Sequence, residues 1–173
     1  MSSQDNITLA SESGVTAIVS IGSNLPSRFG SPAATVEQAV ESLKALSSGP
    51  LVVSSIYRTA AVDCAPATPD FFNAIVAFSP CAGLQAGALL RELFKIEAAF
   101  ERKRGELPNL PRTLDLDLIC YGTQQSDDAR LKLPHPRAHQ RRFVMEPLAE
   151  LAPDLILPGQ DVTVQALLRQ LSK

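Results

Sequence analysis

The chain has 173 residues, 45% hydrophobic and 20% charged, with 16 Lys+Arg against 18 Asp+Glu and a net charge of −2. That length can bury the core of one domain, and this balance excludes both a disordered chain and a dedicated nucleic-acid binder. Cys64, Cys81 and Cys120 are odd in number and lack metal-ligand spacing, so reduced, buried thiols are expected.

Residues 1–14 are polar, without a basic n-region or an apolar h-region, and are expected to form a flexible tail ahead of a single domain over 15–173. No apolar run reaches membrane-spanning length, so a cytoplasmic protein with no membrane partner is expected. Val15 to Ile21 predicts a strand that ends at the turn residues Gly22-Ser23-Asn24. A helix follows from Ser31-Pro32 or from Thr35, where Thr35 and Gln38 could form a capping box, with Val36, Val40 and Leu43 as its apolar stripe. Leu51–Tyr57 and Phe72–Phe78 predict two strands around a proline-punctuated loop from Thr59 to Pro69. Leu84–Phe100 carries the strongest helical stripe, Leu89, Leu93, Ile96 and Phe100. A strand over 113–121 completes a β-α-β-β-α-β order, which predicts an α+β, ferredoxin-like fold: one mostly antiparallel sheet with both main helices on one face. The C-terminal additions are an apolar segment, Phe143–Leu151, and a closing helix, Val162–Leu171.

In Thr113-Leu114-Asp115-Leu116-Asp117-Leu118 acidic and apolar residues alternate. An extended strand therefore puts the leucines on one face and both aspartates on the other, with the aspartates roughly 7 Å apart. Two readings are open: a solvated acidic face, or an oxygen-only site for a hard cation such as Mg²⁺, which takes one or two carboxylates plus substrate phosphates. Residues 91–142 carry 11 of the 16 basic side chains against 8 of the 18 acidic ones. Guanidinium groups around a carboxylate pair are the components of a phosphate site. No G-x-x-x-x-G-K-[ST] loop occurs, so metal and arginines must do the work of a phosphate cradle.

Eight segments occur in an order that resembles the 6-hydroxymethyl-7,8-dihydropterin pyrophosphokinase family. They are Ile21-Gly22-Ser23-Asn24-Leu25, Ser55-Ile56-Tyr57-Arg58-Thr59, Pro69-Asp70-Phe71-Phe72-Asn73-Ala74, Ile96-Glu97, Arg102-x-Arg104, Pro111-Arg112-Thr113-Leu114-Asp115-Leu116-Asp117, Leu133-Pro134-His135-Pro136-Arg137 and Arg141-x-Phe143-Val144-x-x-Pro147-Leu148. The resemblance implies diphosphate transfer from ATP to the hydroxymethyl group of the pterin, with release of AMP, in folate biosynthesis by a monomer. It implies two Mg²⁺ ions on Asp115 and Asp117, and nucleotide contacts from Arg104, Arg112, Arg130, His135 and Arg141. Arg102 would join Arg112 and the aspartates in catalysis as a loop closes. Asn73, Phe71 and Phe143 would hold the heterocycle, with Thr59, Ala61 and Val62 at its edge.

Read without the resemblance, Phe71 and Phe143 are core residues, His135 is a histidine fixed between prolines, and Tyr57 is a packing residue. Glu97 would hold a nearby arginine or backbone group, or else act in catalysis. The chain departs from the family pattern at Ala60-Ala61, where proline is usual, at Glu101 and Leu110, where glycine is, and in lacking a tryptophan between Gly105 and Leu110. The rival readings are a non-catalytic nucleotide- or metal-binding module and a metal-dependent nucleotidyltransferase, and the second leaves the aromatic-amide pocket unexplained.

Overall fold

The structure, a computed structural model, describes residues 7–11, 14–61, 66–102 and 110–171. Two short strands, β1 (Ala10–Ser11) and β2 (Gly14–Val15), pair antiparallel ahead of β3 (Ala17–Ser23). Within the stretch expected to be a tail, Ile7 and Leu9 are buried in the core. Every residue of β3 is buried, as a strand covered on both faces requires. Helix α1 (Pro32–Leu43) starts at Ser31, whose Oγ accepts from the Ala34 N–H while Pro32 takes the first turn, so Ser31 rather than Thr35 is the cap.

The expected strand over Leu51–Tyr57 is two pieces, β4 (Val52–Val53) and β5 (Tyr57–Thr59), which both pair with β6 (Phe71–Phe78). Ser54 causes the break. Its N–H donates to the Ile75 carbonyl at 3.0 Å, and its Oγ, not its carbonyl, accepts from the Ile75 N–H at 2.9 Å. After α2 (Ala86–Ala99) comes β7 (Asp115–Tyr121), then a hairpin of β8 (Ser126–Asp128) and β9 (Leu131–Leu133). Helices α3 (Arg142–Leu151) and α4 (Val164–Gln170) close the chain.

The main sheet has the order β4-β6-β3-β7 and is antiparallel throughout, the strand arrangement expected of a ferredoxin-like domain. Ala17, Val19 and Ile21 of β3, Ala74, Val76 and Phe78 of β6 and Leu116 and Leu118 of β7 face α1 and α2, meeting Val36, Ala39, Leu43, Leu89 and Leu93. The opposite face contributes Ile18, Ile75, Ala77, Ile119 and Cys120 to a second core with α3 and α4. A bulge makes this possible: Ile18 pairs with Cys120 but Val19 pairs with Leu118, so Ile119 is inserted and the β7 alternation is re-phased. Inside that second core, burial pushes the Cys120 thiol up to about 12, which makes it an inert apolar group.

One polar clamp ties α3 to the edge of the sheet. Glu150 accepts hydrogen bonds from the Ser55 N–H (2.9 Å), the Ser55 hydroxyl (3.0 Å) and the Tyr57 hydroxyl (2.8 Å). Partial burial and the neighbouring Glu150 charge raise Tyr57 to about 12, so it stays a donor. For Glu150, burial favours protonation, but the donors from Ser55 and Tyr57 outweigh it and lower the pKa. A group whose pKa is lowered on folding stabilises the protein above its unfolded pKa, and the contribution disappears as pH falls through the folded value. Glu150→Ala is expected to cost about 1–2 kcal/mol in urea denaturation at neutral pH, and the gap from the wild type should close as pH drops below the ordinary glutamate range.

Candidate active site

On the α3/α4 side of the sheet the register aligns Asn73 (β6), Gly22 (β3) and Asp115 (β7) in one row, and Ile75, a member of the second core, Ser20 and Asp117 in the next. Both aspartates thus lie on the face opposite the leucines, as the alternation predicts. Neither is free. Asp115 Oδ1 is 2.6 Å from Arg102 Nη1, and Oδ2 is 2.7 Å from Arg112 Nη1. Asp117 Oδ2 is 3.2 Å from Arg141 Nη1 and 4.0 Å from His135 Nε2.

Burial first, and then the charge of Asp115, raise the Asp117 pKa, while His135, Arg141 and Arg102 oppose the rise. Burial lowers the pKa of His135, more than its attraction to Asp117 raises it. The ring is therefore neutral near pH 7, and because Nδ1 accepts from the Arg137 N–H at 3.2 Å, its proton sits on Nε2, toward Asp117. Among the described residues no group of three His, Cys, Asp or Glu side chains forms a metal cage. Two carboxylates with hard oxygen donors fit Mg²⁺ that draws its other ligands from phosphate and water.

Buried Glu97 stands behind the pair. Its Oε1 accepts from the N–H of Leu116, the residue between the aspartates, at 2.8 Å, and lies 3.9 Å from Arg102 Nη1. Both the arginine and the backbone alternatives for Glu97 are thus realised. Asn24, 2% exposed, joins three segments: Oδ1 accepts from the Arg112 N–H at 2.7 Å, Nδ2 donates to the Pro69 carbonyl at 3.2 Å, and the Asn24 and Leu25 N–H groups donate to the Arg112 carbonyl. Sequence reading placed Asn24 in a turn and in the Ile21–Leu25 segment of the resemblance, without assigning it a contact.

A second group of residues borders the first. Asn73 Nδ2 donates to Thr59 Oγ1 at 2.7 Å. The Arg112 guanidinium lies 5.8 Å from the Phe71 ring centroid, and that of Arg141 lies 5.4 Å from the Phe143 ring, so the same cations link the carboxylates to two aromatic walls. Phe143 also packs against the second core. A cavity of about 370 Å³ opens along Ser126, Asp127, Lys132, Leu133, Pro134 and Pro136, the two prolines that flank His135.

Arg130 is exposed at the turn between β8 and β9, where its backbone N–H donates to Asp128 Oδ1 at 2.7 Å. The structure does not bring its side chain to the aspartates. Ala61 follows β5 as a half-buried residue; Val62 and Arg104 lie outside the described residues. Glu101 has a φ of 65°, the left-handed conformation that glycine adopts freely. The side chain at this position costs about 1 kcal/mol but accepts a hydrogen bond from the Arg28 N–H at 3.2 Å.

The family model of 7,8-dihydro-6-hydroxymethylpterin-pyrophosphokinase matches residues 18–153. A Haemophilus influenzae 2-amino-4-hydroxy-6-hydroxymethyldihydropteridine pyrophosphokinase is 34% identical over 87% of this chain and 90% of its own length. A Synechocystis protein of the same name is 44% identical over 68% of this chain, which spans only 57% of that relative. Among solved structures, a Plasmodium falciparum HPPK-DHPS chain with pteroate superposes with a TM-score of 0.67 at 11% identity, covering 94% of this chain and 44% of that one. This last likeness concerns the fold.

Asn24→Ala removes the side-chain partner of the Arg112 N–H and of the Pro69 carbonyl, both at part-buried positions, and is expected to destabilise the protein by about 1–2 kcal/mol. Chemical denaturation checks this; a change below 0.5 kcal/mol, a limit set at about the size of ordinary surface effects, would show that Asn24 is not the joint of the three segments.

Proposed function

Because the chain belongs to the 7,8-dihydro-6-hydroxymethylpterin-pyrophosphokinase family, we propose that its domain over 15–173 transfers the β,γ-diphosphate of ATP to the hydroxymethyl oxygen of 6-hydroxymethyl-7,8-dihydropterin. The observation that supports this best is the shared row, with Asn73 at one end and Asp115 at the other on a single sheet face. One end reads a heterocycle; the other manages phosphate charge.

In this reading the side-chain amide of Asn73, held by Thr59, pairs with the donor-acceptor edge of the pterin. Phe71 and Phe143 flank the ring, and the backbone around Ala61 and Val62 closes its edge. The nucleotide's base and ribose take the cavity beside His135. Asp115 and Asp117 would hold two Mg²⁺ ions, which supply charge neutralisation at the bridging phosphate oxygens. Arg102 and Arg112 balance Asp115 in the free protein. With nucleotide bound, their forks, with Arg141 and Arg104, turn to phosphate oxygens. Neutral His135 donates Nε2–H to the same anion, and Arg130 meets the nucleotide from the β8–β9 turn.

The acceptor oxygen bonds to the β-phosphorus as the bond from that phosphorus to the oxygen kept by AMP breaks, and the hydroxyl proton passes to solvent water. Phosphoryl-type transfer asks the protein chiefly for positioning and charge stabilisation, and every side chain named here positions a ligand or balances charge.

Incubation with ATP, Mg²⁺ and 6-hydroxymethyl-7,8-dihydropterin is expected to yield AMP and the pterin diphosphate in equal amounts. Free diphosphate with a pterin–AMP adduct would instead establish nucleotidyl transfer, and binding of both ligands without turnover would establish a non-catalytic module.

A further inference from the structure

We infer that Gly22 is a specificity-determining position: the absence of a side chain there keeps the amide of Asn73 in the plane where it reads the acceptor. The inference rests on the assignment of Asn73 to the heterocycle and of Asp115 to the phosphate side.

Glycine weakens the interior of a strand, and in a central one it marks the close approach of a ligand or another group. The backbone of Gly22 does not require glycine. Gly14, Gly30, Gly83, Gly122 and Gly159 all have positive φ in the left-handed range, whereas Gly22 does not. Its surroundings do require it. A Cβ at Gly22 would lie 3.0 Å from Asn73 Oδ1, 3.8 Å from Phe71 Cδ1 and 3.9 Å from Asp115 Cβ. The last two are ordinary contacts; the first forces the amide to move.

The amide has little room to yield. Asn73 is 3% exposed, and its Nδ2 is already committed to Thr59 Oγ1 at 2.7 Å. Shifting Oδ1 by the few tenths of an ångström that a methyl group at position 22 demands strains that bond and tilts the donor-acceptor edge relative to a flat ligand. Asn73 and Asp115 stand two strand spacings apart, about 9–10 Å, with Gly22 midway. A planar bicyclic heterocycle that presents an amide-like edge to Asn73 and a primary alcohol toward Asp115 spans that distance by crossing β3 at Gly22. The bare backbone there therefore sets both the height at which the ring lies and the orientation of the group that recognises it.

The test is a double-mutant cycle of Gly22→Ala, Asn73→Ala and the combined variant, with thermal unfolding of each. Pterin and a non-hydrolysable ATP analogue are titrated separately by calorimetry. Gly22→Ala is expected to weaken pterin binding at least about tenfold, the equivalent of 1.4 kcal/mol, and to leave the ATP-analogue affinity within about twofold. In the Asn73→Ala background the same change should cost less than about threefold, because the close contact is gone and coupled sites are not additive. If Gly22→Ala alone does not fold, Asn73→Ala should restore folding, and failure to restore it would overturn the inference. So would unchanged pterin affinity, equal loss for both ligands, or additive losses. Full pterin affinity in Asn73→Ala alone would instead unseat the pocket assignment, and this inference with it.

Discussion

The antiparallel register that fixes β3 between β6 and β7 is the constraint on which the rest of the site depends. Pairing Gly22 with Asn73 on one side and Asp115 on the other sets an amide and a carboxylate across one strand on a common face. A slip of one residue would turn every side chain on a strand to the opposite face. Such a slip is costly because Val19 and Ile21 on β3, Ala74 and Val76 on β6 and Leu116 and Leu118 on β7 all bury against α1 and α2. The apolar core thus holds the polar face in alignment. The bulge at Ile119 serves the same arrangement, letting β7 pack both helical layers beyond the point where its aspartates are needed.

The second constraint is charge. Two carboxylates on one strand repel each other, and burial makes ionisation of Asp117 harder still. In the free protein Arg102, Arg112 and Arg141 supply the compensation. Each belongs to a different segment: the end of α2, the approach to β7 and the N-cap of α3. Two are anchored from behind. Glu97 stands 3.9 Å from Arg102, and Asn24 holds the backbone of Arg112 on both sides of its peptide unit. The three cationic side chains are thus already gathered around the two aspartates, which is the preorganisation the proposed phosphate-handling role requires.

The β-α-β-β-α-β order and the face assigned to the aspartates were legible because period-2 alternation in Leu114–Leu118 and the stripe in α2 are local signals that the tertiary structure reinforces. Ser54 was not legible as a strand break, since a serine hydroxyl replacing a ladder carbonyl depends on its neighbour Ile75. The β8–β9 hairpin is short, its first strand is polar and its second alternates over only Leu131-Lys132-Leu133, too brief a signal beside the Asx-type turn at Asp128. Ile7 and Leu9 are two apolar residues in a polar stretch, too few to announce burial. Gly22 read as turn chemistry because it precedes Ser23-Asn24; its placement between Asn73 and Asp115 is a property of three strands together. Arg130 stood among the basic residues that follow the aspartates and drew its nucleotide role from the resemblance, and the structure leaves its side chain at an exposed turn.

The proposed role of Asp115 and Asp117 is that of a metal-binding pair rather than of an acidic stripe. Its most direct test is steady-state turnover of Asp115→Asn and Asp117→Asn at saturating ATP across a Mg²⁺ titration, with thermal unfolding recorded in parallel. The amide keeps the shape of each side chain and removes the charge that holds the cation, so both variants should remain folded while turnover falls by at least about a hundredfold at every Mg²⁺ concentration. Retained turnover in both variants with an unchanged Mg²⁺ requirement would contradict the account.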